Sequence, residues 1–258
     1  MDTDTAAASP RVSVVIPTLN EAANIRHVLH TLPDDVHEVL LVDGGSHDGT
    51  VEVARECRPD LRVVPQPGRG KGDALAAGFA ECTGEVVIML DADGSADGKE
   101  IPRFVDALVA GADLVKGSRF IGGGGSSDLT PLRRAGNRFF CGLVNLLYGT
   151  RYSDLCYGFN AAWVPQLRSL KLDCTGFEVE TVLSIRSAKS ELRVTEVPSF
   201  EAPRLHGTSN LHTFRDGWRV LRAIFHERRC GPAVVEELAA AIEKAPEGAS
   251  GPVLSGVA

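Results

Sequence analysis

The run Val86-Val87-Ile88-Met89-Leu90 ends on Asp91-Ala92-Asp93-Gly94, and this junction constrains the fold more than any other stretch. Five consecutive apolar residues, mostly β-branched or long, describe a strand buried on both faces of a parallel sheet. In an open α/β sheet, ligands bind beyond the carboxyl ends of the strands, so carboxylates placed there face a site and not the core. Two acids two residues apart present hard oxygens suited to Mg²⁺ or Mn²⁺, which keep several waters and accept substrate phosphates as ligands. The same tetrapeptide also satisfies a plain turn, because Asp and Gly dominate turns. The rest of the chain has to separate these two readings.

The pattern repeats. Val12 to Pro17 reads as a first buried strand, and Thr18-Leu19-Asn20-Glu21 leads into a helix through about Leu32, with Asn20 as N-cap and Glu21 in the first turn. Val39-Leu40-Leu41-Val42 is a second strand ending on Asp43, and the loop Gly44 to Thr50 opens a helix to Cys57. Leu61 to Pro65 is a third strand, and Gly70-Lys71-Gly72 opens a helix to about Cys82. A helix over Ile101 to Ala110 and a strand over Ala112 to Lys116 follow the Val86 strand. Strands alternating with helices across short loops imply right-handed βαβ units, and they bring Pro17 to Glu21, Asp43, Asp91 and Asp93 to one sheet edge.

Charge divides the chain. Residues 1–115 carry 9 Lys and Arg against 20 Asp and Glu, whereas residues 116–230 carry 17 against 10. A basic second half favours anionic partners such as phosphates or an anionic membrane face. Sparse aromatics and no recognition motif argue against nucleic acid. The six cysteines include no C-x-x-C pair, which argues against zinc and a disulfide framework and favours a reducing cytoplasm. Met1 to Pro10 lacks the features of a secretory signal, and no run approaches the roughly 18 to 20 apolar residues of a membrane span.

Five stretches taken in order now carry a resemblance: Val-Val-Ile-Pro-Thr-Leu-Asn-Glu (14–21), Val-Asp-Gly-Gly-Ser-His-Asp-Gly-Thr (42–50), Gly-Lys-Gly-Asp-Ala (70–74), Leu-Asp-Ala-Asp (90–93) and Gly-Ser-Arg-Phe (117–120). Through about Leu211 the chain resembles the inverting glycosyltransferases of family two, and within them the dolichyl- or polyprenyl-phosphate mannosyl- and glucosyltransferases. The resemblance implies a GT-A fold, an α/β architecture with a Rossmann-like, mostly parallel sheet flanked by helices. It divides the chain into a start at 1–10, a catalytic domain at 11–210 (nucleotide-sugar half 11–116, acceptor half 117–210), an amphipathic helix at 211–230 and a tail at 231–258.

By the same resemblance, Pro17, Leu19, Asn20, Glu21, Asp43, Lys71 and Ala92 contact the nucleotide sugar, and Asp91 and Asp93 hold Mg²⁺ or Mn²⁺. Ser95 stands at a third metal position, where many relatives carry glutamine. Gly44 replaces the second acid of the usual Asp-Asp-Gly-Ser. Arg119 and Arg133 grip the phosphate of a lipid acceptor, for which guanidinium forks suit the geometry. Arg204, in Arg-Leu-His-Gly-Thr-Ser-Asn-Leu, closes over the sugar diphosphate. For Lys71 the alternative is a bare helix N-terminus between permissive glycines.

The implied reaction moves mannose from GDP-mannose, or glucose from UDP-glucose, to a polyprenyl phosphate, which is already anionic and needs no general base. If the acceptor is instead a soluble hydroxyl, a carboxylate must take its proton, and Asp154 and Glu180 are the candidates. Tyr157 and Asn160 depart from the family's Asp-x-x-Ser-Gly-Phe-Arg stretch near the acceptor. Gly122 to Gly125 read as a flexible connection. Leu132 to Gly149 reads as a helix with early arginines. From Leu211 to Arg229, Phe214, Trp218, Leu221, Ile224 and Phe225 recur at helical spacing among arginines, a pattern of either a membrane interface or core packing. A nucleotidyltransferase is disfavoured because Pro-Thr-Leu-Asn-Glu is not a glycine-rich loop, and a non-catalytic nucleotide-sugar binder is the other rival.

Overall fold

The computed structural model describes residues 9–208 and 211–230, so the tail at 231–258, where a short helix is expected over 233–244, and most of residues 1–10 lie outside the described residues. Strands β1 (Val12–Thr18), β2 (Glu38–Asp43), β3 (Arg62–Pro65) and β4 (Val86–Met89) pair in parallel, in the spatial order β3-β2-β1-β4. Helices α1 (Ala22–Thr31), α2 (Thr50–Cys57) and α3 (Lys71–Glu81) connect them. The chain leaves β1 on one side, turns back after β3, and returns to β1's other side with β4. That reversal opens a crevice at the carboxyl ends of β1 and β4, the place where such sheets take ligands.

Side chains alternate across the strands with period two. Val14, Ile16, Leu41 and Ile88 pack on one face with Ile25, Val28 and Phe104, while Val15, Leu40, Val87 and Met89 pack on the other with Leu75, Phe79 and Leu183. Both faces are covered, which is why these strands read as unbroken apolar runs.

Beyond β4 lie α4 (Ile101–Val109), β5 (Leu114–Ser118), β6 (Gly125–Ser126) and α5 (Pro131–Tyr148). Helix α5 starts where the Thr130 hydroxyl accepts the Arg133 N–H at 3.3 Å with Pro131 in the first turn, and it stops at a left-handed Gly149. β7 (Asn160–Trp163) and α6 (Val164–Ser169) precede α7 (Val179–Lys189), β8 (Val194–Pro198), β9 (Phe200–Glu201) and α8 (Thr213–Arg229). β7 inserts antiparallel between β4 and β5, and β8 runs parallel to β5. The sheet is therefore mostly, not wholly, parallel. Four residues of Asn-Ala-Ala-Trp carry no periodic signal, so β7 was not expected.

Two further expectations are corrected. Asn20 is not the cap of α1; Glu21 holds that place without a capping hydrogen bond, and Asn20 adopts a left-handed conformation (φ 56°) in which its Oδ1 accepts the His47 N–H at 2.9 Å. Asn tolerates that region, so it joins two loops instead. Nor is the glycine run a free connection: the Gly124 N–H donates to Ile121, the Gly125 N–H donates to Ser199, and β6 pairs with β9.

Glu38 pins the base of the sheet. Its carboxylate accepts from the Ser13 hydroxyl at 2.6 Å, the Thr83 N–H at 2.6 Å and Arg62 at 2.8 Å. Burial alone would raise its pKa, but these donors hold it down to about 2. A depressed carboxyl contributes stability above its unfolded value of 4.5, lost as pH falls from there toward 2. Glu38→Gln is expected to cost about 2 kcal/mol at pH 7. In thermal melts the gap from wild type should narrow as pH drops below 4.5; a gap independent of pH contradicts this.

Candidate active site

Past β4, the Leu90 N–H still bonds Val15 at 3.1 Å, and the chain then turns outward so that Asp91 and Asp93 border a cleft of about 470 Å³. The turn expected here is present, and the same residues face the cleft. Asp93 Oδ1 accepts the Ser95 N–H at 3.0 Å, closing a turn over left-handed Gly94, while Oδ2 faces Arg204 at 3.3 Å. Ser95 also lines the cleft.

Lys71, the first residue of α3, reaches across to the end of β4. Its Nζ lies 2.6 Å from Asp91 Oδ1 and 2.6 Å from Glu180 Oε1 at the start of α7. Burial opposes the charge on Lys71, but Asp91 and then Glu180 outweigh it, so the ammonium is held above its ordinary pKa. Gly158 makes this approach possible: a Cβ there would overlap Asp91 Oδ2 and stand 2.6 Å from Lys71 Nζ.

Arg204 forms a second bridge. Its guanidinium pairs with Glu21 and Asp93, and its Nε donates to the His206 carbonyl at 2.8 Å. Burial pushes the Glu21 carboxyl above its ordinary value, against the opposing hydrogen bonds from Asn24 and Arg204. Asn24 also donates to the His206 carbonyl at 3.1 Å, so the segment Arg204–Thr208 folds over the end of β1. Beneath it lies a pocket of about 270 Å³ whose lining includes Leu19, Asn20, Asp48 and Arg204. Pro17 pairs with Val42, and Asp43 at the end of β2 accepts the Gly45 and Ser46 N–H groups, both at 3.1 Å. Ala92 is buried, leaving its backbone to make any contact.

The other side of the cleft differs from expectation. Arg119 lines it, but its guanidinium is committed: Nε and Nη2 donate to Asp154 at 2.7 and 2.9 Å, and Nη1 donates to both Glu201 oxygens at 3.0 Å. Those carboxylates overcome burial and raise the Arg119 pKa further. Asp154 has no exposed surface and also accepts the Arg119 and Cys156 N–H groups. It is corrected from candidate base to buried partner. Glu180 faces the cleft, but only as part of the Lys71 pair. Arg133 is freer, its nearest carboxylate being Asp128 at 3.6 Å. Beside it the cleft wall turns apolar, formed by Leu132, Phe139 and Phe140 from α5 and by Phe214, Trp218 and Leu221 from α8.

The structure thus gathers Lys71, Asp91, Asp93, Ser95, Arg119, Arg133, Glu180 and Arg204 around one cleft, while Asn20 lies under the Arg204 segment and Asp154 behind the wall. Glu201 and Gly158 escaped the sequence reading as functional residues. Glu201 sits in a two-residue strand with no pattern. Gly158 occupies the glycine of the Asp-x-x-Ser-Gly-Phe-Arg pattern, and only the proximity of Lys71 and Asp91 gives it meaning.

Removing the Lys71 charge strands two carboxylates, one of them buried. Lys71→Met should destabilise the fold by about 3 kcal/mol, and adding Glu180→Gln should recover part of that loss in denaturant titrations. A double variant less stable than Lys71→Met contradicts the pairing.

Residues 13–163 match glycosyl transferase family 2. Glycosyltransferase AglJ of Haloferax volcanii is 32% identical over 226 residues, covering 84% of this chain and 72% of that one. An undecaprenyl-phosphate mannosyltransferase of Micrococcus luteus is 33% identical over 219 residues, covering 78% and 87%. Among solved structures, glucosyl-3-phosphoglycerate synthase from Mycobacterium tuberculosis, in complex with Mn²⁺, uridine diphosphate and glucosyl-3-phosphoglycerate, superposes with a TM-score of 0.69 at 25% identity, covering 87% and 82%. The order of strands, the carboxylate pair beyond β4 and these likenesses agree: the chain belongs to glycosyl transferase family 2 and is a glycosyltransferase.

Proposed function

We propose that the protein moves a hexose, mannose or glucose, from a nucleoside-diphosphate sugar to a polyprenyl phosphate by a single inverting displacement. One observation carries this reading: the cleft has carboxylates and cations at its floor and apolar side chains of α5 and α8 at its mouth. A charged end and an apolar wall match an acceptor with a phosphate head and a hydrocarbon body.

The donor occupies the crevice at the ends of β1, β2 and β4. Asp91 and Asp93 fit a divalent cation. Both have exposed carboxylate surface in the cleft, and among the described residues no third His, Cys, Asp or Glu joins them in a metal-binding group. The remaining positions would go to diphosphate and water, which suits Mg²⁺ or Mn²⁺, and Ser95 is the nearest further oxygen in sequence. Such a cation, when bound, neutralises charge on the departing diphosphate. The glucosyl-3-phosphoglycerate synthase structure, which holds Mn²⁺ with uridine diphosphate, supports this assignment. Lys71 and Arg204 bring fixed positive charge to the same place, where it is worth more than in water because the site is partly buried. The Arg204–Thr208 segment excludes water that would otherwise hydrolyse the donor.

A hydroxyl acceptor needs a base, yet Asp154 is buried under Arg119 and Glu180 is paired with Lys71. A phosphate is already a nucleophile. Arg133 is the cleft arginine with capacity left for it, and Arg119 holds the wall in place. The exposed Phe214 and Trp218 (83% and 61%) lie among Arg215, Arg219 and Arg222, so this rim suits an anionic membrane face on the cytoplasmic side. No helix among the described residues is long and apolar enough to cross a membrane.

The test is transfer of labelled sugar from GDP-mannose and UDP-glucose with Mn²⁺, offering undecaprenyl phosphate or soluble hydroxyl acceptors including 3-phosphoglycerate. Label should enter the organic phase; label found only on a soluble acceptor overturns the lipid assignment. Arg133→Ala should raise the KM for undecaprenyl phosphate about tenfold and leave the donor KM within twofold, as expected for one charge-assisted contact. An unchanged acceptor KM removes Arg133 from the site.

A further inference from the structure

We propose that Lys116 is a positioning residue for the donor floor: acting through Asn160, it fixes the Tyr157–Gly158 backbone against which Lys71 and Asp91 meet. This rests on the reading of Asp91 and Asp93 as that floor and adds the device that shapes it.

Lys116 is the third residue of β5 and has no exposed surface. Strand register places it in one cross-strand row, Val15, Met89, Asn160, Lys116 and Glu196, whose side chains share a face of the sheet. The row is apolar as far as β4 and polar beyond it. Leu114 and Ala162, on the same face, pack into the core with Leu75, Phe79 and Leu183, so this lysine is set into an apolar layer. Burial pulls its pKa below the ordinary lysine value, against the pull of Asp154, Glu196 and Glu180. Among the described residues it forms no ion pair. Taking an ammonium out of water without a paired charge is costly, and packing alone would be better served by Leu or Met.

Its contacts account for its place. Nζ lies 3.4 Å from Asn160 Oδ1 and 5.9 Å from the centre of the Tyr152 ring. An ammonium only donates, so it fixes which end of the Asn160 amide faces it: the oxygen. The amide nitrogen is thereby turned to the Tyr157 carbonyl, to which it donates at 3.0 Å. Gly158 comes next in the chain. Its backbone stands so close to the Lys71–Asp91 pair that a Cβ there would overlap Asp91 Oδ2 and lie 2.6 Å from Lys71 Nζ. After it, the Phe159 carbonyl accepts the Gly117 N–H at 2.9 Å, and the Phe159 ring stacks on Phe104 with centres 4.2 Å apart. The segment is thus gripped on both sides of Gly158, and Lys116 secures the Tyr157 side.

Neither Lys116 nor Asn160 lines either cavity, so the pair reaches a ligand only through this backbone. Without the ammonium, the Asn160 amide is free to turn and the Tyr157 carbonyl loses its donor. Gly158 then moves relative to a carboxylate and an ammonium only 2.6 Å apart. A misplacement of about 1 Å in groups that orient a ligand costs on the order of a hundredfold, so even a partial shift is measurable.

The test measures the calorimetric affinity of the full chain for GDP and UDP with Mn²⁺, together with the thermal midpoint of each variant. Lys116→Met keeps the length of the side chain and removes its charge and its donors. Its midpoint should equal or exceed that of wild type, while affinity for whichever diphosphate wild type binds falls about tenfold. A residue that only packs would move the two readouts together. Asn160→Ala removes the relay, leaves the ammonium, and should weaken binding by a similar factor. Because both substitutions break one connection, the double variant should bind within about twofold of the weaker single variant. Wild-type affinity in folded Lys116→Met, or losses that multiply in the double variant, overturns the proposal and leaves the donor reading intact. Should Lys116→Met fail to fold, Asn160→Ala carries the test: a tenfold loss supports the relay, and wild-type affinity overturns it. Binding of neither diphosphate by wild type overturns the donor reading itself.

Discussion

The site is organised by charge that the chain has to neutralise at one place. Three carboxylates, Asp91, Asp93 and Glu180, line one cleft at the edge of the sheet, a fourth, Glu21, is buried beside it on Arg204, and two cations from distant segments hold them together. Lys71 comes from the first turn of α3, and Arg204 from the segment after β9. Unpaired carboxylates so close, two of them buried, would repel one another and desolvate at a cost of several kcal/mol. The loops at the ends of β1 and β4 and the start of α7 are placed where these pairs require. Gly158 is glycine because nothing larger fits between the members of one pair.

This arrangement couples the two halves that the charge distribution had separated. The acidic half supplies β1 to β4, Lys71 and three of the carboxylates; the basic half supplies Glu180, Arg204, Arg119 and Arg133. Arg119 illustrates how position and role diverge. Its place beyond β5 was readable, yet two carboxylates absorb its guanidinium, so it braces the cleft wall against Asp154 and Glu201 and leaves Arg133 facing the opening. Helix α8 resolves a choice the sequence left open, because Val220 and Ile224 pack into a small core with α5 and α7 while Phe214 and Trp218 stay exposed on its other side. One helix serves packing and surface at once.

Buried parallel strands were legible because they are apolar on both faces and end abruptly in acids; β1, β2 and β4 fall within a residue or two of the expected spans. The carboxylates at their ends were legible for the same reason. β7 was not, since four residues around two alanines carry no period. The ion pairs were also hidden, because Lys71 and Glu180 are separated by more than a hundred residues and only the closed sheet brings them together. Asn20 looked like a helix cap by type and neighbour, but its side chain found a better partner in the His47 N–H. The glycine run looked flexible by composition, and an adjoining short strand gives it partners.

The central claim is that Asp91 and Asp93 form the floor of the donor site and hold a divalent cation against the nucleotide's phosphates. The most direct measurement is the calorimetric affinity for a nucleoside diphosphate with and without Mn²⁺, in wild type, Asp91→Asn and Asp93→Asn. The account predicts that Mn²⁺ tightens binding at least tenfold in wild type and that both variants lose that gain while keeping wild-type circular dichroism. Equal tightening by Mn²⁺ in the folded variants would contradict it.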